Sequence, residues 1–129
     1  MVDKTFRASH RYARISSRKA RPVADVVRGL GVNAALEELQ FVHRRASPML
    51  EKVIRSAMAN AVQEGGARTE DLVISRAYVD EGPTWKRWRP RARGMAFPIM
   101  KRTSHLNVEL TERAEKKRAA APAAQKAEE

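Results

Sequence analysis

The sequence predicts an α/β (α+β) protein: three helices, a small antiparallel sheet and one long protruding β-hairpin. Three observations carry this expectation. Apolar residues recur at helical spacing in three stretches between residues 16 and 62. Residues 72 to 79 and 103 to 110 have the residue types or the alternation of strands. The segment between them, residues 82 to 102, is too long for an ordinary hairpin loop and too polar for a core. A chain of 129 residues fits one domain, expected over residues 1 to 110, and a tail follows from 111 to 129.

Residues 6 to 13 show a weak period of two (Phe6, Ala8, His10, Tyr12) and are expected to form a short strand, with Arg7 and Arg11 toward solvent or phosphate. Ser16 and Ser17 are N-cap candidates for a helix carrying Ala20, Val23, Val27 and Leu30, and Gly29 and Gly31 can close it. Pro22 lies past the first position of that helix and removes a donor, so a loose first turn or a later start is expected. Asn33 can cap a short second helix with Leu36, Leu39 and Val42 that stops near Arg44 and Arg45. Ser47 followed by Pro48 reads as a cap with proline at the first helical position. It opens the strongest pattern in the chain, a continuous stripe of Leu50, Val53, Ile54, Ala57, Met58, Ala61 and Val62. Gly65 and Gly66 end it.

Residues 72 to 79 read as a strand, and so do 103 to 110, where Ser104, Leu106, Val108 and Leu110 alternate with polar residues. The two are expected to pair antiparallel. Pro83, Pro90 and Pro98 keep the intervening segment out of a central strand. If it forms a hairpin with its tip near residues 91 to 94, each arm reaches on the order of 30 Å from the body. Beyond Thr111 the Ala, Lys and Glu composition predicts a frayed helix and a disordered tail.

The formal net charge of +11 points to a polyanionic partner. Its distribution is sharper than its total: residues 1 to 31 carry +6, residues 83 to 102 carry seven basic and no acidic side chains, and the helical middle is neutral. Lys86, Arg87, Arg89, Arg91, Arg93, Lys101 and Arg102 stand beside Trp85, Trp88 and Phe97, three of the seven aromatic residues of the chain. Rings and guanidinium planes stack on unpaired bases while the charges release counterions, a combination that suits RNA with exposed bases better than duplex DNA. The N-terminal block of Arg7, Arg11, Arg14, Arg18, Lys19 and Arg21 has almost no acids among it and is a second candidate for nucleic-acid contact. The stripe on the third helix is core packing and carries no site.

Cysteine is absent, which excludes a disulfide framework, a thiolate zinc site and thiol catalysis. No apolar run approaches a membrane span, and the first residues do not read as a secretory signal, so a soluble, cytoplasmic protein without a membrane partner is expected. His10, His43 and His105 lack metal-ligand spacing, and no phosphate-binding glycine loop is present. Asp80 and Glu81 adjoin the basic arm, but neighbouring strand residues point to opposite faces, which argues against joint Mg²⁺ coordination and a nuclease reading. No catalytic residue, cofactor, metal or small-molecule substrate is expected.

The run Tyr78-Val79-Asp80-Glu81-Gly82-Pro83, then Lys86-Arg87, Pro90-Arg91-Ala92-Arg93-Gly94, Ala96, Ile99 and Lys101-Arg102-Thr103-Ser104-His105, resembles the signature of the L-twenty-two family of large-subunit ribosomal proteins, bacterial type. The resemblance extends over about residues 6 to 110 and includes Ser16-Ser17-Arg18-Lys19-Ala20-Arg21, Val27-Arg28-Gly29, Ala34-Ala35-Leu36, Ser56-Ala57 and Ala59-Asn60-Ala61. It implies three helices packed on a three-stranded antiparallel sheet with one drawn-out hairpin. It also implies a role without catalysis: binding large-subunit rRNA early in assembly, beside neighbouring ribosomal proteins, with the hairpin along the nascent polypeptide's exit tunnel. On this basis, together with the charge and aromatic pattern, Arg11, Arg14, Ser16, Arg18, Lys19, Arg21, Trp85, Lys86, Arg87, Trp88, Arg89, Arg91, Arg93, Lys101, Arg102 and His105 are expected to contact RNA. Pro90, Arg91, Ala92, Arg93 and Gly94 are expected at the tunnel wall. Met95 and Phe97-Pro98 depart from the family pattern and make the second arm of the hairpin less cationic and more apolar, and Pro22 stands where the family commonly has a good helix former. The rival reading is a histone-like architectural DNA-binding protein with basic β-arms, which would have to be a dimer.

Overall fold

The computed structural model describes residues 4–113. The tail expected from residue 111 therefore lies, from residue 114, outside the described residues. In chain order the elements are β1 (Thr5–Ala13), α1 (Ser17–Val27), α2 (Val32–Phe41), α3 (Ala46–Gly65), β2 (Leu72–Glu81), β3 (Trp85–Pro90), β4 (Ala96–Lys101) and β5 (Ser104–Glu112). Short 3₁₀ turns sit at Thr69–Asp71 and at Ala92–Gly94. This is the α+β architecture expected: three helices cover one face of an antiparallel sheet of order β1-β5-β2, and β3 and β4 form a separate two-stranded ribbon.

β5 lies in the centre of the sheet because its alternation is complete. Ser104, Leu106, Val108 and Leu110 turn into the core, and all four are buried. It pairs with β2 through Val79 opposite Leu106 and Ala77 opposite Val108. β1 pairs with its other side, with Phe6 opposite Leu110. The period of two expected along β1 does not persist. The register shifts between His10 and Ala13, Tyr12 adopts φ 60°, and Ala13 and Ile15 are buried while Tyr12 is exposed. A bulge of this kind re-aims the chain toward α1.

α3 buries Leu50, Val53, Ile54, Ala57 and Ala61 against β1 and β5, α1 covers β2, and α2 packs on α1 and α3. Val62, expected in the stripe, is on its exposed margin. α3 ends where Gly66 takes the left-handed φ of 59°, and its last residue is Gly65 because Phe6 occupies the space a side chain would need.

Several expected helix boundaries are corrected. α1 starts at Ser17 and runs through Pro22 without delay; Arg18 and Pro22 are both exposed, so the carbonyl that loses its partner faces water. Ser16 occupies the N-cap position, but its side chain makes no capping bond. α1 ends at Val27, so Leu30 belongs to the following turn, where Gly29 takes φ 81°. Gly31, not Asn33, precedes α2, and that helix stops at Phe41. α3 begins at Ala46, so Ser47 is inside it, buried, and its hydroxyl meets no hydrogen-bond partner. Pro48 is tolerated there because the first four N–H groups of a helix have no intrahelical partner.

Candidate nucleic-acid interface

The ribbon begins where β2 ends. Gly82 N–H donates to the Thr103 carbonyl at 2.9 Å, and the Thr103 hydroxyl donates to the Pro83 carbonyl. Only glycine fits at position 82, since a Cβ would lie 2.6 Å from Thr103 Oγ1 and 3.3 Å from its carbonyl carbon. Thr103 and Ser104 are buried, so this junction ties the arm to the core.

Beyond it, Trp85 pairs with Lys101, Arg87 with Ile99, Trp88 with Pro98 and Pro90 with Ala96. The chain reverses through Ala92, Arg93 and Gly94, with φ 62° at Arg93 and 70° at Gly94, close to the expected tip. Arg91 N–H donates to the Met95 carbonyl at 2.7 Å. Pro90 and Pro98 both fall in the alternate set of pairs from Arg91 and Met95. This suits antiparallel pairing, in which every second pair exchanges no hydrogen bonds and a missing N–H costs nothing. Six paired residues per strand give the ribbon a length of roughly 20 Å. All its side chains are exposed except the half-buried Ile99, including Trp85, Trp88, Met95, Phe97 and Met100.

The two basic blocks, far apart in sequence, meet at the root of this ribbon. A cleft of about 550 Å³ is lined by Arg14, Ile15, Ser16, Lys19, Arg45, Met100, Lys101 and Arg102, with no acidic residue. Its five cations come from three places: the exit of β1 and first turn of α1, the α2–α3 connection, and the end of β4. The starts of α1 and α3 both border it, and neither has an acid in its first turn, so two helix N-termini add positive partial charge. Such a cleft can hold phosphate groups by charge and by backbone N–H.

Arg45 was not among the residues expected from sequence. It reads there as the end of a helix, and the adjacent Arg44-Arg45 pair was the available signal. Of the residues that were expected, Arg14, Ser16, Lys19, Lys101 and Arg102 come together in the cleft. Lys86, Arg87, Trp88, Arg89, Arg91 and Arg93 line the ribbon, with Trp85 at its root. Arg18 is exposed on α1. Arg21 reaches the Val79 carbonyl at 3.5 Å, and Arg28, the residue that follows α1, donates to the Ala77 carbonyl at 2.7 Å, so these two side chains guard the open edge of β2. His105 accepts the Tyr12 N–H through Nδ1, and Arg11 lies over the Tyr12 ring, 5.8 Å from its centroid.

The Asp80–Glu81 pair is divided as expected for adjacent strand residues. Asp80 accepts from Asn107 at 3.4 Å and Glu81 from the Ser17 hydroxyl at 3.5 Å. Among the described residues no group of His, Cys, Asp and Glu is placed to hold a metal ion, and no helix is long and apolar enough to cross a membrane.

The family model described as ribosomal protein L22p/L17e matches residues 8–111, the span that contains all three helices, the ribbon, the basic cleft and all of the sheet but the start of β1 and the last residue of β5. The chain belongs to this family of structural proteins of the large ribosomal subunit.

Proposed function

We propose that the protein binds large-subunit rRNA early in assembly, gripping RNA backbone in the cleft at the root of the ribbon while the ribbon enters the RNA. Its partners are that rRNA, neighbouring proteins of the subunit and, at the tip, the nascent polypeptide in the exit tunnel. The observation that carries this reading is the convergence of Arg14, Lys19, Arg45, Lys101 and Arg102 on one acid-free cleft. Five like charges held together repel one another, and polyanion binding relieves that repulsion. Family membership favours this reading over a histone-like DNA-binding dimer. The placement of Pro90, Arg91, Ala92, Arg93 and Gly94 at the tunnel wall rests on their position at the turn of the ribbon, the part farthest along the chain from the body. It rests also on the resemblance of their motif to the family's.

The test is co-sedimentation of the protein with large subunits after a high-salt wash, together with competition between structured rRNA and duplex DNA. Retention on the subunit and preference for rRNA are expected. Loss from the subunit together with equal affinity for duplex DNA would overturn the proposal. For the tip, a photo-crosslinker replacing Ala92 in assembled ribosomes should form an adduct with a stalled nascent chain; an adduct with rRNA alone would remove the tunnel assignment.

A further inference from the structure

We infer that the ribbon engages the RNA backbone through one of its two faces, the face that carries Arg87, Arg89 and Lys101, and turns the face of Trp88 and Pro98 away from phosphate. This inference rests on the RNA-binding reading above and adds a direction to it.

The observation is the strand register. Alternate residues of a strand share a face, and residues directly opposite across an antiparallel pair share it too. The pairs Trp85 with Lys101, Arg87 with Ile99, and Arg89 with Phe97 therefore stand on one side of the ribbon. Lys86 with Met100, Trp88 with Pro98, and Pro90 with Ala96 stand on the other. The first face has three cations among three apolar side chains. The second has one cation, Lys86, among five apolar ones. Arg91 has extended backbone (φ −123°) and continues the alternation of Arg87 and Arg89.

The consequence is electrostatic. A phosphate pressed against a surface loses part of its hydration, and that loss is offset only where a cation or donor replaces the water. The first face offers a cation at Arg87, again two residues on at Arg89, and across the ribbon at Lys101. Its rings, Trp85 and Phe97, stand among those cations and can stack on unpaired bases of the same strand. The second face can neutralise one phosphate at most. Lys86 lies at its root opposite Met100, where a long aliphatic stem can rest on apolar surface while the ammonium stays solvated. A ribbon surrounded evenly by RNA would need cations on both faces, and this one does not have them.

The experiment compares neighbours on opposite faces in the full-length protein, with protein-free large-subunit rRNA as the probe. Affinity is measured over a salt series for the unmodified protein and for Arg87→Gln, Arg89→Gln and Lys86→Gln. Each is an exposed side chain, and thermal melting checks that the body is intact. Arg87→Gln and Arg89→Gln are expected to lower the slope of log affinity against log salt by about 0.7 to 0.9 each, and Lys86→Gln to lower it by less than either. An equal fall for Lys86→Gln, or no fall for any of the three, overturns the inference while leaving RNA binding by the protein in place. A flat salt series for the unmodified protein overturns the RNA-binding reading itself, and this inference with it.

Discussion

The backbone N–H of Tyr12 donates to Nδ1 of His105 at 3.0 Å, and the two rings meet edge to face with centroids 5.0 Å apart. The pairing holds Tyr12 at φ 60°, a left-handed conformation that costs a non-glycine residue about 1 to 2 kcal/mol. It joins the bulge of β1 to β5, the strand that follows the ribbon. The acceptor role assigns the proton of the neutral imidazole to Nε2.

His105→Phe keeps a ring for the edge contact and removes the acceptor. It is expected to destabilise the fold by about 1 kcal/mol, which for a domain of this size lowers Tm by roughly 4 °C. A thermal melt indistinguishable from that of the unmodified protein would show that the bulge is held by its neighbours alone.

Gly65→Ala tests two opposing effects in one position. Helix propensity favours alanine over glycine by about 0.8 to 1.0 kcal/mol, yet the added Cβ would meet the ring of Phe6 at 2.3 Å. Phe6 is 6% exposed and opposite Leu110, so it has little room to retreat. Net destabilisation is expected, within the roughly 1 to 3 kcal/mol that overpacking costs. Chemical denaturation gives the sign, and a stabilised variant would mean that the ring moves freely.

Deleting residues 85 to 100 and joining the ends with a short glycine linker is expected to leave the body folded. The ribbon strands pair principally with each other, and the core is built from the helices and the three-stranded sheet. Cooperative thermal unfolding of the deletion variant, followed by circular dichroism, checks this. A broad, non-cooperative transition would place part of the arm in the folding unit.

Arg45→Gln removes one of the five cations of the cleft without touching the buried core. Affinity for large-subunit rRNA should fall, and the salt slope should drop by about 0.7 to 0.9, with no fall in Tm. An unchanged slope would exclude Arg45 from phosphate contact.

Ile54 is fully buried beneath the sheet. Ile54→Ala is expected to cost about 2 to 5 kcal/mol, read as a lower denaturant midpoint at unchanged slope. This variant serves as the stability control for the RNA-binding variants, because its side chain has no access to RNA.

Patterns that depend on one element were legible in the sequence. The stripe on α3 survives as core from Leu50 to Ala61, and the complete alternation of β5 puts that strand at the centre of the sheet. The turn of the ribbon falls at Arg93 and Gly94, where the sequence supplies a glycine next to a run of charge. The helix starts were less legible. Ser47-Pro48 has the composition of a cap, but tertiary packing buries Ala46 and Ser47, and the helix starts at Ala46. Pro22 signals a broken helix, and the helix persists because the unpaired carbonyl faces solvent and Ala20, Val23, Ala24 and Val27 are buried against neighbouring elements.

By itself the sequence determined the class of fold, the two cationic blocks, the acid-free arm and the family signature, because composition and short-range spacing act locally. Tertiary structure alone decided that the blocks converge, that Arg45 joins them, and which residues of β4 stand on the same face of the ribbon as Arg87 and Arg89. The reason is geometric: alternation puts Arg87 and Arg89 on one face of β3 in any register, but a slip of one residue in the pairing would bring the opposite set of β4 side chains beside them. The pairing of Trp85 with Lys101 sets that register, and with it the presence of Lys101 on the face of Arg87 and Arg89.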